Sequence, residues 1–91
     1  MAGLAFDQVS KIGFNDPVQV NARTFHVQTE VVLRDGIMIR TTVLEAGVVK
    51  LVDARPCASA GDELGAFRAL VEAQHEHYIQ VLNRSGATWL E

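Results

Sequence analysis

Residues 23–45 read Arg-Thr-Phe-His-Val-Gln-Thr-Glu-Val-Val-Leu, then Arg-Asp-Gly, then Ile-Met-Ile-Arg-Thr-Thr-Val-Leu-Glu. The first run alternates. Phe25, Val27, Thr29, Val31 and Leu33 fall on one side, and His26, Gln28, Glu30 and Val32 on the other. Period two with β-branched and aromatic residues is a strand signature. Asp35-Gly36 between two such runs is a strong hairpin signal. The return run sets Ile37, Ile39, Thr41 and Val43 against Met38, Arg40, Thr42 and Leu44. With the turn at Asp35-Gly36, Leu33 and Ile37 pair beside it, and Glu30 falls opposite Arg40 to within a residue.

Reading outward, Ala46-Gly47 makes another tight turn and Val48 to Ala54 a further strand, which Pro56 ends because it has no N–H for a ladder. Alternation along that strand sets Val48, Val52 and Ala54 against Val49 and Leu51. Upstream, Val18 to Val20 is a short strand, joined to the hairpin by Asn21-Ala22, where Asn tolerates a left-handed conformation. Asn15-Asp16-Pro17 marks a turn. Before it, Gln8 to Phe14 reads as an extra strand or part of an N-terminal extension over 1–16. Downstream the period changes. Leu64, Phe67, Val71, Tyr78 and Leu82 recur at steps of three or four, widened by Leu70 and Val81, which predicts an amphipathic helix over 59–85. Ser59 and Asp62 have the spacing of a capping box, and Asn83 to Gly86 suits a C-cap. A tail, 86–91, follows. Its last pair, Leu90-Glu91, resembles a cloning-vector remnant. The expected architecture is therefore α+β: one domain, with an antiparallel meander of three to five strands (17–56) packed by one long C-terminal helix.

Composition narrows the class. The chain has 91 residues, enough for one domain, and its 48% hydrophobic content argues against disorder. Only 7% of residues are aromatic, so aliphatics supply most of the apolar surface. No stretch approaches the ~20 apolar residues of a membrane helix, and the N-terminus lacks the features of a secretory signal. The formal net charge is -3, with dispersed basic residues, so a nucleic-acid partner is not expected. Cys57 is the single cysteine, which excludes an intrachain disulfide and a cysteine-rich zinc site, and fits a reducing, cytoplasmic setting.

Groups able to carry chemistry are sparse. His75 and His77 project roughly 200° apart on a helix, too divergent to share one ion. His26 and Glu30 lie about 13 Å apart along a strand. A site from His26, Glu30 and His75 would need the helix to lie across that strand face. Ser59 and Ser85 lack a nucleophile elbow, and Gly61 and Gly65 lack a phosphate-loop fingerprint. The sequence therefore predicts no catalytic set, no metal and no cofactor. Arg34, Arg40 and Arg55 are the residues that would bind an anionic ligand or nucleotide if the sheet gathered them.

The strand Phe25-His26-Val27-Gln28-Thr29-Glu30 resembles the aromatic-His-Val-Gln-Thr-Glu signature of small uncharacterised bacterial proteins of deltaproteobacterial type. A C-terminal helix in those proteins carries Glu-Gln-His, which Gln74-His75 keeps in part. The likeness spans about Pro17 to Gly86. Where those relatives follow the Glu with Asp, this chain has Val31-Val32, which makes the hairpin more apolar. The resemblance implies a shared fold, singles out Phe25, His26, Gln28, Thr29, Glu30, Gln74 and His75 as motif residues, and implies an accessory place in bacterial polarity or motility systems.

One helix covers one face of a small sheet. The other keeps Val, Leu and Met, and large exposed apolar patches mark partner surfaces. The leading expectation is a non-catalytic interaction module, self-associating as a homodimer or binding another protein through Val31, Val32, Met38, Arg40 and Leu44, or through an edge strand. An anion sensor built on the three arginines is the alternative.

Overall fold

A computed structural model of the chain describes residues 6–56 and 64–90. A short helical turn α1 (Phe6–Val9) leads into four strands, β1 (Gly13–Val20), β2 (Arg23–Leu33), β3 (Ile37–Glu45) and β4 (Val48–Pro56). The long helix α2 (Leu64–Ser85) and a 3-10 turn (Thr88–Leu90) complete the order. The strands form one antiparallel sheet in the order β1-β2-β3-β4. This is the expected α+β meander under one C-terminal helix. Cys57, Ser59, Gly61 and Asp62, and with them the predicted capping box, lie outside the described residues, as does Glu91.

The central hairpin follows its sequence. Leu33 pairs with Ile37 and Glu30 with Arg40. The connection spans three residues, Arg34 to Gly36, closed by Arg34 N–H donating to Gly36 O at 2.8 Å. Asp35 and Gly36 have φ of +53° and +106°. Ala46 and Gly47 form a two-residue turn, both with positive φ, between paired Glu45 and Val48. Gly86 caps α2 with φ +71°, its N–H donating to Leu82 O at 3.0 Å. That is the left-handed cap a helix end requires.

Two details differ from the sequence reading. First, no turn interrupts residues 15–17. The strand predicted at 8–14 and the short one at 18–20 are replaced by a helical turn and a single strand β1 that runs through Pro17. Proline is tolerated on an edge strand, where a missing N–H leaves no ladder bond unmade, and β1 is an edge. Second, the β3–β4 register slips between Val43 and Leu44, so Val43 pairs with Leu51 and Leu44 with Val49. Lys50 is the extra residue of a β-bulge. The bulge reverses the alternation, so Val49, not Val48, shares a face with Val52.

The buried side chains of the sheet lie on the face that meets α2, the apolar ones in two clusters. One gathers Val18, Phe25, Val27, Val43, Tyr78, Leu82 and Ala87, with Leu90 packed against it. The other gathers Val9, Val31, Ile39, Phe67 and Val71. Helix α2 meets the sheet through Phe67, Val71, His75, Tyr78 and Leu82, a three- and four-residue stripe. The α1 turn drops Val9 into the second cluster, with Phe6 and Ile12 packed against it, so residues 6–12 pack on this same side.

Candidate functional site

The other face of the sheet has no described element packed on it. The pairing register places on it Asn15, Pro17 and Gln19 from β1, and Thr24, His26, Gln28, Glu30 and Val32 from β2. Met38, Arg40, Thr42 and Leu44 come from β3, and Val49, Val52, Ala54 and Pro56 from β4. The face is divided. Its β1–β2 half is polar apart from Pro17 and Val32. Its β3–β4 half is apolar apart from Thr42 and the boundary residue Arg40. Val49 and Val52 stand 53% and 56% exposed, so this half presents aliphatic carbon to its surroundings. An apolar centre with a polar flank is the anatomy of a protein-binding surface.

Arg40 sits where the two halves meet. Its Nη2 donates to Glu30 Oε2 at 2.6 Å across the hairpin. Its Nε is buried and has no hydrogen-bond partner among the described residues. A buried donor left unmade costs free energy, and partly desolvated arginines of this kind are common anchors at interfaces.

The covered face carries polar chemistry between its two apolar clusters. His75, only 1% exposed, hydrogen-bonds through Nδ1 to Thr29 Oγ1 at 2.8 Å and through Nε2 to Asp16 Oδ2 at 2.7 Å. Thr29 Oγ1 lies 2.9 Å from Thr41 Oγ1. Gln74 Nε2 reaches Thr41 Oγ1 at 3.0 Å and the carbonyls of Ile39 and Asp53 at 3.2 and 3.3 Å. Those carbonyls fix which end of the Gln74 amide is the donor. For a neutral imidazole with its proton on Nε2, one order of donors satisfies every group: Gln74 donates to Thr41, Thr41 to Thr29, Thr29 to His75 Nδ1, and His75 Nε2–H to the Asp16 carboxylate. Each hydroxyl donates once and accepts once. Alongside, Tyr78 donates to Asp53, which also accepts from Arg55 Nε at 2.9 Å. Burial pushes the Tyr78 hydroxyl above its ordinary pKa, and the Asp53 carboxylate it donates to pushes the same way. The Arg55 guanidinium is held protonated more firmly by Asp53.

Asp16, His75 and Thr29 have the connectivity of an acid–imidazole–hydroxyl triad. Thr29 is 1% exposed and its hydroxyl is enclosed between strand and helix, so the arrangement orients packing.

The predicted site residues divide accordingly. Val32, Met38, Arg40 and Leu44 share the open face, half-buried among their neighbours. Val31 does not. It is 5% exposed and packs with Phe67 and Val71, because its odd position in β2 points it at the helix. Arg34, Arg40 and Arg55 are not brought together. Arg34 lies in the hairpin loop, Arg40 on the open face, and Arg55 on the covered side beside Asp53. His26 and Glu30 face away from His75 across the sheet, so these three cannot share an ion. Among the described residues, no cluster of His, Cys, Asp and Glu is placed to hold a metal. Of the motif residues, Phe25, Thr29, Gln74 and His75 build the covered side. His26, Gln28 and Glu30 line the polar half of the open face.

Fold and face together define the class: a one-sided α+β domain, its sheet packed by a helix on one face. Compared with known proteins, the chain matches no family model, no curated protein and no solved structure. No helix among the described residues is long and apolar enough to cross a membrane.

Proposed function

We propose that this chain is a non-catalytic protein-interaction module that works through the open face of its sheet, with self-association as its first mode. The observation that carries the reading is the apolar β3–β4 half of that face, with Val49 and Val52 exposed. Burying such carbon yields about 25 cal/mol per Å², so a protein partner is the natural cover. The arginine-based anion site loses support, since the three side chains point to different places.

Capture experiments test this. Immobilised wild type, a face variant (Val52→Glu) and a helix-surface variant (Glu72→Arg) are compared for binding to free chain and to proteins of a host extract. The reading expects wild type and the helix variant to bind alike, and the face variant to lose whatever they bind. Retention by the face variant, or a wild-type chain that binds neither itself nor another protein, overturns it.

A further inference from the structure

Helix α2 packs over β1, β2 and β3 and leaves the edge strand β4 to one side. The register puts Leu51, Asp53 and Arg55 of β4 on the covered face, opposite Val43, Thr41 and Ile39 of β3. A cleft of about 330 Å³ lies between the Arg55 end of that strand and the near flank of the helix. Its apolar wall is Ile39, Pro56, Leu70 and Ala73, and its polar groups come from Arg55, Gln74 and His77. A concave, mostly apolar site with a few convergent polar groups is what a small ligand requires, and the volume falls within the range of such sites.

The polar groups are held in place yet open. Arg55 Nε donates to Asp53 Oδ2 at 2.9 Å, and the same oxygen accepts from Tyr78. That bond steadies a guanidinium whose side chain is still 60% exposed, and its outward fork suits a carboxylate approaching end-on. Gln74 Nε2 is committed to Thr41 Oγ1 and to the carbonyls of Ile39 and Asp53, so Gln74 Oε1 can only accept. That oxygen has no partner among the described residues and is open to solvent. His77 is exposed, with its ring edge-to-face against Tyr78. Charge sets the sign of the ligand. The chain carries a formal net charge of -3, yet none of the lining residues is acidic. By the helical period Glu72 and Glu76 fall on the other flank of α2, the one on which Arg68 reaches Phe14 of β1. The Asp53 carboxylate beside the cleft is engaged by Arg55 and Tyr78.

We propose that the cleft between α2 and β4 binds a small organic acid, its carboxylate on the Arg55 guanidinium beside His77, a neighbouring N–H or O–H donating to Gln74 Oε1, and its apolar body on Ile39, Leu70 and Pro56. This is the chemistry of an N-acyl amino acid or an α-hydroxy acid. The carboxylate takes the fork that Asp53 leaves open, and the donor takes the one oxygen of the Gln74 amide that the sheet does not use. The body covers aliphatic carbon that neither the helix nor β4 covers. The cleft lies on the helix side of the sheet and shares no side chain of the β1–β2 half of the open face or of Val49 and Val52, so its ligand is a separate matter from the partner of that face.

Titration of the isotope-labelled full chain, followed by NMR chemical shifts, tests the assignment. The probe is N-acetylleucine, whose dozen or so non-hydrogen atoms (about 12) suit a cleft at the small end of the range. It should shift the signals of Arg55, Leu70, Gln74 and His77 saturably, with a dissociation constant of about a millimolar or below. N-acetylleucinamide lacks the carboxylate and should bind about tenfold or more weakly. Isocaproate lacks the donor and should bind about threefold or more weakly. Arg55→Gln should erase the preference for acid over amide, which a loss of packing alone would not do. Arg68→Gln removes the same charge from the other flank and should keep that preference. Ala73→Phe fills the cleft from an exposed helix position and should abolish the shifts while the circular dichroism stays that of wild type. If Arg55→Gln fails to fold, the wild-type preference for acid over amide and the loss of binding in Ala73→Phe decide the matter. The proposal is overturned by an absence of saturable shifts at the cleft up to about 50 mM probe, far above the constant expected for a ligand of this size. Acid and amide binding alike, isocaproate binding as tightly as N-acetylleucine, or a preference for acid that survives in Arg55→Gln overturns it equally.

Discussion

Ala46 holds φ +51° in the turn before Gly47. An L-residue with a Cβ pays roughly 1–2 kcal/mol for the left-handed region, and asparagine tolerates it better. Ala46→Asn should therefore raise stability by about 0.5–1 kcal/mol, measured by urea unfolding with an unchanged m-value. Nearby, Glu45 accepts two hydrogen bonds from Arg23, at 2.8 Å from Nε and 2.7 Å from Nη2. The Arg23 hydrogen bonds hold the Glu45 carboxyl below its ordinary 4.5, and the charges of Arg23 and Lys50 act in the same direction. The folded state thus binds this proton less readily than the unfolded chain. Its contribution is present above the ordinary glutamate range and fades as pH falls through that range towards the lowered folded value. Thermal melts across this acid window should show wild type losing stability more steeply than Arg23→Gln. Equal slopes would show that the pair contributes nothing measurable, the common result for exposed ion pairs. The Glu30–Arg40 pair was legible at this scale, because hairpin register follows from the turn. The Arg23–Glu45 pair spans the full length of the same hairpin and follows from the same register.

Helix α2 meets the sheet through apolar contacts at both ends and a polar belt between them, and the belt sets the terms of the packing. Leu82 is fully buried with Phe25, Val27 and Val43, so Leu82→Ala should cost about 2–5 kcal/mol. His75 is different. His75→Leu removes a side chain of two hydrogen bonds and strands the Thr29 hydroxyl, for about 1–3 kcal/mol. Replacing Thr29 and Thr41 by Val in the same chain removes the stranded donors as well, and should recover most of that loss. A triple variant no more stable than His75→Leu alone would mean that the helix needs the polar chain to seat, rather than merely to avoid unpaired groups. The sequence showed the helix stripe, but not this chain. Thr29 and Thr41 read as alternating strand residues, and His75 as one of two divergent helix histidines. Their meeting depends on where α2 crosses the sheet, which periodicity does not encode. The N-terminal segment was misread for a related reason. Asn15-Asp16-Pro17 is a turn signal taken locally, but an edge strand accepts Pro17, and His75 holds Asp16 from the opposite layer. The bulge at Lys50 likewise left no mark in the alternation of residues 48–54.

At the scale of the whole molecule, apolar side chains on both faces of the sheet fall into two classes that composition does not separate. The aliphatic excess of the chain, 48% hydrophobic against 7% aromatic, supplies a core under α2 and a surface without one. Val43 and Val52 show the distinction. They occupy neighbouring strands, one row apart in the register, yet Val43 is fully buried and Val52 is 56% exposed. An aspartate at each position makes the same chemical change in two environments. Val43→Asp places an uncompensated carboxyl in the cluster of Phe25, Val27 and Leu82, and a buried charge without a partner is among the largest destabilising effects known. It should leave the chain unfolded at room temperature, with loss of its circular dichroism signal. Val52→Asp leaves the covered core untouched, so its effect on the fold of a single chain should stay within about 0.5 kcal/mol. Association should respond the other way round. A dimer that depends on the open face gains stability with concentration, so wild type should melt higher as the chain is concentrated, and Val52→Asp should melt at one temperature throughout. At high dilution the two melts should converge. A Val52→Asp chain that unfolds at every concentration would show that the open face supports the fold itself, and would remove the separation between core and surface on which the interaction reading depends.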